Sequence, residues 1–256
     1  MPPKRSKPQH RVTKSARAGG RRKATTVTPT PNRADANSSS SSSSPVYFWR
    51  DSDPLTGYLS QWYPCAFSDD ADPSIIYPTA EHYMMYQKAL LFSDAAVAAE
   101  VLAAAHPRQV KALGRKVSGF SDEVWNAHRE AIVRRGNVLK FTRPVEPLAE
   151  GSGWIVTVPG GEEGGEKGVS IKEMLLGTGE REIVEASPMD RIWGIGFGAA
   201  KAGSVRERWG LNLLGKALMV VRGELRAAAT AAAQGDAVAA TGSGEAREGK
   251  EEEKRD

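Results

Sequence analysis

Apolar residues recur at helical spacing through most of the chain between residues 79 and 226, while strand-like patterns are confined to three short places. Thr79 stands where an N-cap belongs, and the run after it predicts a helix to about Phe92. Ser93 is the next candidate cap, for a helix to Ala105 that Pro107 would stop. Arg108–Leu113 reads as a short helix closed by Gly114. Ser121, followed by Asp122 and Glu123, opens another, with Trp125, His128, Arg129 and Ile132 at helical spacing. Ile171–Leu176 predicts a short helix ending at Gly177, and a long last helix includes NLLGKALMVVRGEL. Strands are expected around Val46–Trp49, Trp154–Val158 and Glu182–Glu185, and PGGEEGGEKG at 159–168 reads as a surface loop. The fold class that follows is mainly α with a small β component, an α+β arrangement in a single domain.

Composition sets the limits of that domain. Residues 1–44 run from KRSK and RRK into a serine tract with almost nothing apolar, so they cannot offset the entropy of ordering and are expected to be disordered. From Pro45 the character changes, and residues 45–226 form the candidate folded domain. Residues 227–256 are low in complexity; their alanines can extend the last helix, and the Gly, Ser and charged end is expected to be disordered. Charge divides along the same boundary. The first 44 residues hold ten Lys or Arg and one acid, a net +9, so the chain's +4 leaves −5 for residues 45–256. The basic clusters suit nuclear import or a tether to DNA or RNA, which points to the nucleus or cytoplasm. An organelle transit peptide is the rival, and Pro2, Pro3 and Pro8 count against its helix. The body has no overall attraction for phosphate polymers.

No apolar run approaches a membrane span, and the N-terminus lacks the apolar core of a secretory signal. Cys65 is the single cysteine, which excludes an internal disulfide and a cysteine zinc site. His82, His106 and His128 show no pair at metal-ligand spacing, so no metal and no cofactor is expected.

The stretch YPTAEHYMMYQKA places Glu81 in the first turn of its helix, where the dipole would hold it ionised with a lowered pKa. Lys88 lies two turns on, about 10 Å along the axis, so the two charges could contact opposite ends of one ligand with Met85 between them. In EASPMDRIWGIGF, Asp190 precedes Trp193, and Gly194 and Gly196 allow close approach of backbone to a ligand while the indole offers a stacking face. Arg115, Arg129 and Lys140 are candidate phosphate contacts. Each of these also has an ordinary reading, as a helix start, a core tryptophan or a solvated charge.

Taken in order, GYLSQWYPCAF, YPTAEHYMMYQKA, KALGRKV, VW and LKF, LLGTGEREIVEASPMDRIWGIGF and NLLGKALMVVR resemble the successive motifs of the NADAR superfamily, also called YbiA-like, over residues 46–226. The resemblance implies a mainly helical, metal-independent N-glycosidase. It implies two substrate branches: ADP-ribosylated guanine in nucleic acid, or early pyrimidine intermediates of riboflavin synthesis. It places Glu81, Lys88, Trp125, Asp190 and Trp193 in or near the pocket. Gln61 stands where many members carry Asn, which would shift a hydrogen bond to ribose. Glu81 and Asp190 would then stabilise positive charge on the ribose or orient water. Lys88 would be a nucleophile or an anion contact. Arg115, Lys140, Trp125, Trp193, Gly194 and Gly196 would bind substrate. ADP-ribose or another ribosyl nucleotide is the expected ligand. A non-catalytic module that senses ADP-ribose or NAD is the competing class.

Overall fold

A computed structural model of the chain describes residues 44–145, 152–160 and 165–248. The expected disorder of residues 1–43 and of the extreme C-terminus lies outside the described residues.

Four of the described helices begin where a side chain satisfies a free backbone amide, with adjustments to the sequence expectation. Helix α1 (Ala80–Leu91) starts after Thr79 as expected. Its end is a left-handed turn at Ser93, φ +58°, in which Asp94 N–H reaches back to Ala89 O at 2.9 Å. Ser93 therefore closes α1, and Asp94 caps α2 (Ala95–Ala103), its Oδ1 accepting Val97 N–H at 3.1 Å. A carboxylate accepts such bonds more strongly than a hydroxyl does. Helix α3 (Pro107–Gly114) takes Pro107 as its first residue, where the missing N–H costs nothing, and His106 Nδ1 caps Arg108 N–H. Helix α4 (Asp122–Thr142) is capped by Ser121, and α5 (Ile171–Gly177) by a reciprocal Ser170–Glu173 capping box.

Among the described residues the β component is three two-stranded pairs. Strand β1 (Val46–Phe48) runs parallel to β6 (Ile183–Glu185), with Val46 opposite Ile183 and Phe48 opposite Glu185. Strands β2 (Phe67–Ser68) and β3 (Ile76–Tyr77) pair antiparallel, a two-residue ladder too short to leave an alternation in the sequence. Strand β4 (Ile155–Pro159) pairs antiparallel with β5 (Glu166–Ser170). The segment read as a surface loop is thus partly a hairpin arm: its backbone gains ladder bonds although its side chains bury little. After α6 (Ala199–Ala202) and a 3₁₀ turn, α7 spans Leu213–Glu248 and carries helix well past Arg226 through the alanines, the residue with the highest helix propensity.

Helix α1 is the hub, packed against α2, α3 and α4, while α7 covers α4 and β6. Leu59, Val101, Val110, Ile171, Leu175, Ile183, Leu218 and Val221 fill the main core. Gly136 lets α4 approach α1: a Cβ there would stand 2.4 Å from the Tyr83 ring. Cys65 is buried and its thiol is pushed up to about 12 by burial, which leaves it inert. Among the described residues no helix is long and apolar enough to cross a membrane.

Lys140 fastens the loop in front of α1. It is fully buried, and its Nζ donates to Tyr58 O at 2.7 Å and Ser60 O at 2.9 Å. Burial pushes its pKa down to about 8. It clamps backbone from beneath, and that geometry leaves it away from the phosphate contact considered from sequence. Replacing Lys140 with Met strips two buried carbonyls of their donor and is expected to cost about 3 kcal/mol or more. Thermal denaturation should show Tm falling by about 6–12 °C at this chain length; an unchanged Tm would contradict the clamp.

Candidate active site

The loop that Lys140 holds delivers Gln61 to the start of α1. Gln61 O accepts Glu81 N–H at 3.0 Å, and the Gln61 amide accepts Asn137 Nδ2 at 3.1 Å. The Thr79 hydroxyl is occupied with His82 Nδ1 at 2.8 Å, and His82 Nε2 meets Ala104 O at 3.0 Å. A carbonyl only accepts, so Nε2 donates and Nδ1 accepts from Thr79. Burial holds the His82 pKa below its ordinary value, and the neutral ring staples α1 to the end of α2.

These contacts fix Glu81 in a dry place. It is 4% exposed, and burial pushes its carboxyl up to about 7. Asp190 adds to the rise, while Lys111 and the Trp62 indole oppose it. The lowered pKa expected from the helix dipole is therefore corrected. The dipole is worth about 0.3–1 kcal/mol, and removing a carboxylate from water costs several.

A second raised carboxyl faces the same region. Glu185 ends β6, and burial pushes it up to about 8, with Asp190 and Glu81 adding to the rise and Lys111 opposing it. Its Oε2 is sealed from solvent without a hydrogen-bond partner. Its backbone is held on both sides: Glu185 N–H donates to Asn212 Oδ1 at 3.0 Å, and Glu185 O accepts Ile195 N–H at 3.0 Å. Asn212 itself sits at φ +51° and donates Nδ2 to Ile183 O at 3.0 Å. Asp190 completes the cluster from a tight turn, its Oδ1 accepting Ile192 and Trp193 N–H at 2.8 Å each. Gly194 is required here, because a Cβ would come within 2.7 Å of Glu185 O.

The residues expected from sequence fall into two groups. Glu81, Glu185 and Asp190 act on one another electrostatically, with Trp62 beside Glu81, and Trp193, Gly194 and Gly196 follow Asp190 in the turn after β6. Trp193 is half-buried and carries its carbonyl to Leu214 N–H at 3.1 Å, so it also ties the turn to α7. Gly196 has φ +76°. Lys88 stands apart: its Nζ donates to Gly114 O at 2.7 Å and lies 4.1 Å from the Phe120 ring centre and 5.4 Å from that of Trp125. Burial lowers its pKa, and the acid that acts on it is Asp122. Met85 fills the space against Gly114, so the helix face between Glu81 and Lys88 is packed on α3. Arg115 is exposed at the end of α3, and Gln61 and Lys140 lie behind Glu81 as supports. Sequence reasoning missed Glu185, Lys111, Trp62 and Asn212. Glu185 lay inside the quoted EASPMDRIWGIGF, and a carboxylate at the end of an apolar strand next to a glycine turn was the available signal. Among the described residues no three His, Cys, Asp or Glu converge as a metal-ligand set.

The NADAR domain family model matches residues 47–226, the stretch that holds every element of this site. The chain belongs to the NADAR family. An N-glycosidase of Acanthamoeba polyphaga mimivirus is 37% identical over 170 residues, covering 65% of this chain and 86% of the viral protein. An N-glycosidase of Nostoc punctiforme is 33% identical over 148 residues, covering 58% of this chain and 74% of its own. The NADAR domain here is accordingly a hydrolase of the N-glycosidase class. The solution structure of Escherichia coli YbiA matches with a TM-score of 0.51 over 73% of this chain and 88% of YbiA, at 22% identity, which shows the shared fold.

The raised carboxyls make the NADAR domain's stability depend on pH. Folded values of about 7 and 8 against an ordinary 4.5 mean that the folded state keeps protons the unfolded chain has released. Stability therefore falls as pH rises from about 4.5 to 8. Glu185→Gln removes part of that loss. At pH 8 the variant should melt about 2–4 °C or more above the parent, and the difference should vanish near pH 4. Equal melting at pH 8 would show that Glu185 is not held as a buried acid.

Proposed function

We propose that the domain hydrolyses the N-glycosidic bond of an ADP-ribosylated base, with guanine as the leading candidate, using Glu185 as proton donor and Glu81 with Asp190 as the negative wall. The observation that carries this reading is the pair of buried carboxyls raised to different extents beside Asp190. At neutral pH such a cluster holds a proton on one member and charge on another.

The C1′–N bond breaks with its electron pair passing to the base nitrogen, which takes the proton from Glu185. The ribose develops positive charge at C1′, which this scheme assigns Glu81 and Asp190 to stabilise. Water then attacks C1′ and gives its proton to a carboxylate, leaving a 1-hydroxy sugar and the free base. Trp193 and Trp62 supply flat apolar surfaces for a base or ribose. The basic segment of residues 1–44 supports a substrate within nucleic acid, which that +9 charge would attract.

Lys88 forms no bond to the sugar in this scheme. Its ammonium is engaged with Gly114 O and the Phe120 face, and the carboxylate cluster suffices for direct hydrolysis. Borohydride added during turnover should trap no sugar adduct; a trapped adduct lost in Lys88→Ala would make the lysine a nucleophile.

Incubation with DNA carrying ADP-ribosylated guanosine, and separately with riboflavin-pathway pyrimidine nucleotides, followed by mass spectrometry for released sugar, tests the reaction. Turnover of the ADP-ribosylated DNA is expected, with kcat/KM bell-shaped between about pH 7 and 8. Glu81→Gln and Glu185→Gln should each lose about 100-fold or more, the second also losing the high-pH limb. Turnover of the pyrimidine nucleotides alone would move the assignment to that branch. Tight ADP-ribose binding without turnover of either would make the domain a sensor.

A further inference from the structure

Two buried amides behind Glu81 are joined in a way that holding its backbone does not require. Gln61 already gives its carbonyl to Glu81 N–H at 3.0 Å. Its side chain is tied separately to Asn137 of α4, 76 residues away in sequence. Asn137 is fully buried, and its Nδ2 donates twice, to Val133 O at 2.8 Å and to Gln61 Oε1 at 3.1 Å. Its Oδ1 is sealed from solvent without a partner.

These bonds fix which way round each amide lies. Val133 O can only accept, so the Asn137 atom that meets it is the nitrogen. The second hydrogen of that nitrogen demands an acceptor from Gln61, which has to be Oε1. Gln61 Nε2 is therefore turned away from Asn137. Among the described residues it donates to no protein group, and it is not one of the polar atoms sealed from solvent. The open end of this buried side chain is thus an unused donor, on the residue whose backbone holds Glu81 and whose neighbour is Trp62. As packing alone, Asn137 is a poor choice. An apolar side chain there would bury no orphan acceptor, and an unmet one is a net cost to folding. What the asparagine supplies is orientation: without its donor, the Gln61 amide is free to turn over and present Oε1 in place of Nε2.

We infer that Asn137 is a positioning residue, which locks the Gln61 amide so that Nε2 is presented as a hydrogen-bond donor to an acceptor oxygen of the ligand. This rests on the N-glycosidase reading for the ligand's identity, whereas the orientation of the two amides can be measured without any ligand. Asn137 itself touches no substrate; it acts through Gln61, and its whole effect on binding has to pass through that side chain.

Two measurements on the full chain test the assignment. Hydrogen exchange of the side-chain amides, followed by NMR, reports orientation: Asn137 Nδ2 should be protected, and Gln61 Nε2 should exchange about 10-fold faster or more. Titration calorimetry with ADP-ribose and ribose 5-phosphate reports the contact. The parent should bind at least one of them, and Gln61→Met, Asn137→Ala and Asn137→Thr should each weaken that binding by about 10-fold. Threonine nearly matches asparagine in volume, but its single hydroxyl hydrogen is taken by Val133 O, so it cannot donate to Gln61. In the Gln61→Met background, Asn137→Thr should cause no further loss. An asparagine with a merely structural role would lower affinity equally in both backgrounds, which would overturn the proposal. Parent-like affinity in both Asn137 variants, a protected Gln61 Nε2, or no binding of either probe by the parent would also overturn it. Should the Asn137 variants fail to fold, exchange in the parent and the loss in Gln61→Met still decide the matter. Asn137-dependent binding without turnover would leave the positioning role standing and remove the N-glycosidase reading for that ligand.

Discussion

Holding Glu81 and Glu185 away from water is the constraint on which the rest of the structure depends. Among the described residues no ion pair includes either carboxyl, and although Lys111 acts on both, burial raises both well above the ordinary carboxylate range. A protein tolerates such groups only where surrounding structure over-determines their positions, and here each has backbone anchored from an unrelated part of the chain. Gln61 O holds the amide of Glu81, and Asn212 with Ile195 holds both sides of Glu185.

The anchors explain why buried polar residues concentrate around these two acids. Lys140 and Asn137 lie beneath the Gln61 loop, His82 stitches the start of α1 to α2, and Asn212 joins β6 to α7. Each of these side chains has a protein partner, whereas Glu185 Oε2 has none, and Asn137 Oδ1 is also left without one. Among the described residues Arg129 Nε, Asn137 Oδ1, Arg143 Nε, Trp154 Nε1 and Glu185 Oε2 are buried without a partner, and of these Glu185 alone belongs to the carboxyl cluster. An unpartnered acid in such a cluster is expected where stability has been given up for chemistry.

Local signals in the sequence carried much of the fold. Ser121 marked a true helix start because capping is read within four residues, and α1 does begin after Thr79, although the Thr79 hydroxyl is turned to His82 and caps no amide. Ser93 misled because a left-handed closing residue and an N-cap attract the same small polar types. The β2–β3 pair left no pattern at two residues per strand. At the site, Glu81 and Asp190 stood out from their neighbours in sequence. The family motifs brought them together with Trp193; in the structure Glu81 and Asp190 act on each other electrostatically, and Trp193 N–H is bonded to Asp190. Lys111 could not be found that way, since its role comes from the packing of α3 against α1, and Glu185 carried only the weaker signal of an acid ending an apolar strand before a glycine turn. The direction of the Glu81 pKa shift was misjudged for the same reason: the dipole is a local term, and burial is a tertiary one. Lys140 was an attractive phosphate ligand by residue type, and only its depth showed it to be a clamp.

The central claim is that two carboxyls in this domain titrate near neutrality because the fold keeps them dry. Carbon-13 NMR of side-chain carboxyls, followed from pH 4 to pH 9 with Glu81→Gln and Glu185→Gln for assignment, measures it directly. Two resonances should titrate far above the others, at about 7 for Glu81 and about 8 for Glu185, with each variant lowering the survivor's value. Both carboxyls titrating near the ordinary 4.5 would contradict the account.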